Sequence, residues 1–125
     1  MGQYAAPKDF EAVQAVLDMY CTAGARGNIP AVQKIFHETA VMNGCRAGAG
    51  EVVLGPIDAL YALYEEVGPA PETEVHADVL DIAGDIAVGR IVIKNWHGRD
   101  FVDYHELMKI DGEWKIVAKI YCQTN

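Results

Sequence analysis

A single chain of 125 residues, 51% of them hydrophobic, can bury one core without staples, which fits one domain over residues 1–125. Its net charge of −8 argues against nucleic acid, whose phosphates it would repel, and no apolar run approaches the ~20 residues of a membrane span. Cys21, Cys45 and Cys122 are odd in number and show no C-x-x-C or paired Cys/His spacing. They read as reduced thiols of a cytoplasmic protein with neither metal nor disulfide framework. The opening MGQYAAPKDF lacks the basic and apolar regions of a signal peptide, and Ala6 stands where a myristoylation signal has Ser or Thr.

In chain order, Asp9 can cap a first helix running to about Ala23. Phe10, Val13, Val16, Leu17 and Tyr20 form its apolar stripe, and Gly24 or Gly27 stops it. Asn28 can cap a short second helix with Pro30 in its first turn and Ile29, Val32, Ile35 and Phe36 buried. His37 falls at its end and reads as a surface residue. Ala40 to Cys45 reads as a strand. A glycine-rich turn from Gly44 to Gly50 leads to a second strand, Glu51 to Leu54. That turn carries no Lys-Ser/Thr ending and opens no helix, so it is not a phosphate loop. Pro56 starts a third helix and Gly68-Pro69 ends it, with Ile57, Leu60, Tyr61, Tyr64 and Val67 as its stripe.

The remainder reads as four long antiparallel strands. Glu74 to Ile82 turns at Gly84-Asp85 into Ile86 to Trp96. There Ala87, Gly89, Ile91, Ile93 and Asn95 share one face, and small Ala87 and Gly89 favour that face as interior because a helix or ligand can approach it closely. Arg99 to Tyr121 then folds back at Asp111-Gly112, a strong hairpin signal. A two-residue loop pairs Ile110 with Glu113, Leu107 with Ile116, His105 with Ala118 and Asp103 with Ile120. One face thus carries Phe101, Asp103, His105, Leu107, Trp114, Ile116, Ala118 and Ile120. The other carries Tyr104, Glu106, Met108, Lys115, Val117, Lys119 and Tyr121. Hydrophobicity puts the first face inside, although it holds an Asp and a His.

Three early helices followed by long strands predict an α+β fold: a curved, cone-shaped antiparallel sheet with the helices across it, enclosing a pocket suited to a small apolar or cyclic molecule. Asp103 and His105, two apart on one strand face, and Tyr20 on the first helix are the candidate ligand contacts. Asn95 and Trp114 are further lining candidates. A buried carboxylate must be hydrogen-bonded or protonated, so Asp103 is equally readable as a group that holds a neighbouring element in place. As an acid–base enzyme on a cyclic or polyketide-like molecule, Tyr20 and one carboxylic acid, Asp103 or Glu106, would donate to a developing oxyanion, and His105 would move the proton if its face is inside. A third reading is a dimeric interaction module using Tyr104, Met108, Val117 and Tyr121, with Lys115 and Lys119 paired to acids.

The segments YCTAGARGNIPAVQKIFHETAV (20–41) and FVDYHELMKIDGEWKIVAK (101–119) resemble the nuclear transport factor 2-like superfamily, in particular its putative lumazine-binding branch near polyketide cyclase-like and ketosteroid isomerase-like proteins. The resemblance implies a cone-like α+β barrel and a homodimer through the outer sheet face. It hosts enzymes, binding proteins and scaffolds alike. Matched to ketosteroid isomerase, the oxyanion-hole tyrosine falls on Tyr20 and the oxyanion-hole acid on Glu106, or on Asp103 if a bulge intervenes. That enzyme keeps its oxyanion-hole carboxylic acid protonated in an apolar site, and a Glu106 match would make its face the pocket face. The position of the catalytic base falls near Gly44, beside Asn43, and neither can take a proton. No cofactor is implied.

Overall fold

Three helices pack on one face of a curved, unclosed, six-stranded sheet in a computed structural model that describes residues 6–125. Part of the opening stretch, on which the leader and acylation expectations rest, lies outside the described residues. Helix α1 spans Pro7–Arg26, α2 Ile29–Ile35 and α3 Asp58–Val67. The strands are β1 Phe36–Arg46, β2 Val52–Val53, β3 Glu74–Ala83, β4 Ile86–Trp96, β5 Arg99–Ile110 and β6 Glu113–Gln123.

Helix α1 begins two residues before Asp9 and ends three after Ala23. Asp9 serves from the third helical position, accepting the Ala6 backbone N–H at 3.3 Å. Its carboxylate also accepts Lys109 Nζ at 3.2 Å and Trp114 Nε1 at 3.3 Å, tying the helix start to the final hairpin. Those two bonds, Lys109 foremost, hold the Asp9 carboxyl below its usual range. Gly24 does not stop the helix. It stands where α3 comes close, since a Cβ there would lie 3.0 Å from the Tyr64 hydroxyl. The stop is Gly27, left-handed at φ 63°, whose N–H bonds back to the last turn. Asn28 caps α2 as predicted, accepting Ala31 N–H at 3.3 Å.

The strand order is β2-β1-β6-β5-β4-β3. All neighbours are antiparallel except β1 and β6, which run parallel, so the sheet is mixed rather than wholly antiparallel. Alternation of side chains reports which face is buried and is blind to strand direction. The interior face of β4 is the predicted one. Gly89 faces α1 so closely that a Cβ would fall 2.4 Å from Leu17 Cδ1. Val13, Leu17, Ile91, Leu107 and Ile116 are all but fully buried between helices and sheet, each contributing about 1.5–3 kcal/mol of transfer free energy.

Bulges in β4 and β6 move side chains away from their predicted faces. Between Ile93 and Trp96, β4 carries one more residue than β5 opposite. Asn95 takes a left-handed φ of 59°, and its side chain accepts the Gly98 N–H at 3.1 Å in the turn. Trp96 enters the core in its place. Asn95 is therefore a turn residue, not a lining one. The second bulge lies between Glu106 and Leu107 on β5 and takes up Val117 on β6. Ile110–Glu113 and Leu107–Ile116 pair as predicted. Beyond them, however, Glu106 meets Ala118, His105 meets Lys119 and Asp103 meets Tyr121. Ile120 moves to the outer face and is 56% exposed, while Lys119 moves inside and is 6% exposed.

Candidate functional site

A cleft opens between α1, α3 and the concave sheet face, with about 130 Å³ of space for the centres of water-sized spheres, room for several waters or part of an organic molecule. Its walls are mainly apolar: Met42, Leu60, Leu63, Ile93, Trp96 and Phe101. Its polar lining includes Tyr20 from α1, Tyr64 from α3, Asp103 from β5 and Lys119 from β6. Strand alternation carries Arg99, Phe101 and Asp103 inward in turn along β5, from the turn end of the strand into the fold.

These groups interlock. Lys119 Nζ donates to the Tyr20 hydroxyl at 2.7 Å and lies 3.5 Å from Asp103 Oδ2. His105 Nε2 lies 3.4 Å from the same Asp103 oxygen. The Tyr20 ring meets the His105 ring edge-on at 4.7 Å between centroids. The Lys119 ammonium sits over the rings of Tyr20 and Tyr121, 5.1 and 5.6 Å from their centres. Asp103, His105, Lys119 and Tyr20 are all buried, and Asp103 Oδ1 and His105 Nδ1 have no hydrogen-bond partner among the described residues.

Burial sets the protonation states, and neighbours correct it. Burial, reinforced by the Asp103 charge, pushes the Tyr20 hydroxyl well above its ordinary value, although an interaction with the Tyr64 hydroxyl works the other way. Tyr20 therefore keeps its proton. Its oxygen accepts from Lys119, and its own O–H is left to donate, with the Asp103 carboxylate within its reach. Burial also pushes the Asp103 carboxyl up, but Lys119 and His105 together outweigh it and hold the group ionised, below the usual range. Burial pulls His105 down, and Asp103 only partly restores it, so the imidazole is neutral near pH 7. Cys21, also buried, has its thiol pushed up to about 12 and is a packing group.

Of the residues predicted from sequence, the fold brings Tyr20, Asp103 and His105 together. His105 stands behind Asp103 rather than on the cleft wall. Asn95, Glu106 and Trp114 are elsewhere. Glu106 is exposed on the opposite face of the sheet, among Val88, Met108 and Val117, so the hydrophobicity reading holds for β5 and the ungapped match does not. Trp114 is buried at the Asp9 end, away from the cleft. Near Gly44, where the isomerase base would stand, a Cβ would fall 2.1 Å from the Tyr121 ring. That ring occupies the place, and Asn43 instead accepts the Gly55 N–H at 3.2 Å.

Lys119 and Tyr64 are the site residues that sequence reasoning missed. Tyr64 looked like one more residue of an apolar stripe. Lys119 was hidden by the bulge. The signal for it is Ile116-Val117-Ala118, three apolar residues in succession within an otherwise alternating strand.

Among solved structures, the chain is similar to an NTF2-like protein of unknown function from Shewanella baltica OS155: 27% identity, TM-score 0.88, covering 97% of this chain and 98% of that one. It is equally similar to an NTF2-like protein of unknown function from Methylobacillus flagellatus KT, at 28% identity and TM-score 0.88, over 99% and 100% of the two chains. A curated relative, Aldolase FrzH of Cladobotryum sp, is 25% identical over 122 residues, 97% of this chain and 96% of that protein. The sequence profile of the family described as Putative lumazine-binding matches residues 8–122. With that match spanning nearly every element of the fold, the chain belongs to the Putative lumazine-binding family of the nuclear transport factor 2-like superfamily.

Proposed function

We propose that the cleft binds a small, largely apolar carbonyl compound and moves a proton at the carbon beside its carbonyl. The observation that carries this reading is the buried Tyr20–Lys119–Asp103 cluster lining an otherwise apolar cleft. Burying an ammonium and a carboxylate costs several kcal/mol each, which a fold of this kind does not require, and functional sites are where such groups gather. In the proposed step the carbonyl oxygen accepts from Lys119 and from the Tyr20 O–H, which turns to it from Asp103. Asp103 Oδ1, which has no partner among the described residues, takes the adjacent C–H proton. The electron pair moves onto the oxygen as an enolate held by the ammonium and the phenol. Return of the proton completes an isomerisation or exchange. Attack of the enolate carbon on a second carbonyl, whose oxygen then takes the proton back from Asp103, completes an aldol addition, the reaction type in the name of the curated relative. His105 is a positioning residue that orients Asp103.

The test is exchange in D2O with 4-(4-acetylphenyl)butanamide, an aryl methyl ketone. The acetyl signal is followed by proton NMR. Acetyl protons should wash out faster with the protein than with buffer, and the excess should be largely lost in Tyr20→Phe. A compound that binds without faster exchange leaves a binding pocket and removes the catalytic reading. Absence of binding by this and related ketones removes both.

We also infer a homodimer through the outer sheet face. Ile86 stands opposite Met108 and Tyr104 opposite Ile120, and all four are exposed. These two cross-strand pairs are apolar neighbours suited to a self-complementary contact. Lys119 and Tyr121, assigned to this surface from sequence, are not on it. Light scattering should give twice the chain mass for the native protein and a monomer for Ile120→Glu combined with Met108→Lys. A native monomer would refute the dimer.

A further inference from the structure

We infer that Arg99 is an anchor for an anionic group, and that the ligand is therefore a carbonyl compound carrying a carboxylate or similar anion at its far end. This deepens the function proposed above and rests on it. Arg99 opens β5 on the inward-facing register and lines the cleft. Among the described residues no carboxylate lies within ion-pairing distance of its guanidinium. Its chain neighbour Asp100 is engaged on the other side, 3.5 Å from Lys94 and accepting the Asn95 N–H at 2.9 Å.

The charge balance of the cleft points the same way. The chain as a whole carries −8, yet the cleft's charged lining is two cations, Arg99 and Lys119, against one anion, Asp103. Lys119 is matched by Asp103, so the surplus positive charge belongs to Arg99. Four residue steps along the strand take Arg99 to Asp103, a backbone distance of roughly 13 Å, with the Phe101 ring between them. A ligand satisfying both ends has a carbonyl at the Tyr20–Lys119 end, an apolar or aromatic middle against Trp96 and Phe101, and an anion at the open end. A planar guanidinium suits a carboxylate through paired N–H donors.

The experiment compares 4-(4-acetylphenyl)butanoate with its neutral amide, by NMR titration of the native protein and of Arg99→Gln. Arg99 is exposed, so the variant should fold as the native chain does. The acid is expected to bind roughly fivefold more tightly than the amide at low salt, a preference that shrinks as salt is added. In Arg99→Gln that ratio should fall to about one. Equal binding of acid and amide by the native protein overturns the anchor but leaves the carbonyl site standing. A preference that persists in Arg99→Gln also overturns it, placing the anion elsewhere. Failure of both compounds to bind removes the carbonyl site, and the anchor with it.

Discussion

Replacement of Asp103 by alanine is expected to destabilise the fold by about 3–5 kcal/mol, the range for removing one partner of a buried ion pair. The cause is the group left behind. Lys119 keeps only the neutral Tyr20 hydroxyl as a hydrogen-bond partner among the described residues, and the residue is 6% exposed. Asp103→Asn should cost less than alanine because the amide oxygen can still accept from Lys119. The double variant Asp103→Asn, Lys119→Met should be more stable than Asp103→Ala, since no unpaired charge remains. Urea denaturation of the three variants checks this, and an Asp103→Ala protein within 1 kcal/mol of the native one would contradict the buried pair.

The same cluster fixes the direction of the pH dependence. Asp103 has a folded value below its ordinary 3.8, so its contribution is complete above 3.8 and disappears as pH falls through the lower folded value. His105 is depressed from 6.5, which means that the unfolded chain takes up this proton before the folded one does. Stability therefore declines as pH falls below about 6.5 towards the folded value, and the carboxylate's loss follows in stronger acid.

The fold was legible because its signals are local. Asn28 and Pro30 mark the start of α2, Asp111-Gly112 turns the last hairpin, and Gly89 shows where α1 lies on the sheet. Part of the site was legible for the same reason: Tyr20 ends the apolar stripe of α1, and Asp103 and His105 are polar residues on an apolar strand face. The places of Lys119 and Trp96 depended on two extra residues in long strands. A bulge reverses inside and outside for everything beyond it, so one unpaired position at Val117 exchanged Lys119 for Ile120 in the interior. Another exchanged Trp96 for Asn95. Neither follows from hydrophobicity alone, because Ile120 is the more apolar of its pair and nevertheless faces out. What selects Lys119 is the carboxylate across the strand pair, a contact between residues sixteen apart that alternation does not see.

Replacement of Lys119 by methionine is expected to slow acetyl exchange of the aryl ketone by about 10²–10³-fold, the loss typical of removing one oxyanion donor. Methionine retains most of the stem's volume, so the rings of Tyr20 and Tyr121 keep a packing partner. The chemical effect has two parts. The enolate oxygen loses its only positively charged donor in the cluster, and Asp103 loses the chief influence that holds its carboxyl down. The second part separates a catalytic lysine from one that merely braces the fold. With the ammonium gone, burial dominates and the Asp103 carboxyl titrates at higher pH, so the acid limb of the exchange profile should move upward in Lys119→Met. Bracing alone would lower the rate at every pH without moving that limb. Lys119→Arg should keep the limb near its native position while recovering little of the rate, because the larger guanidinium cannot place a donor where the ammonium stood. A Lys119→Met protein that exchanges at the native rate would remove the ammonium from the chemistry and leave Tyr20 and Asp103 to account for it.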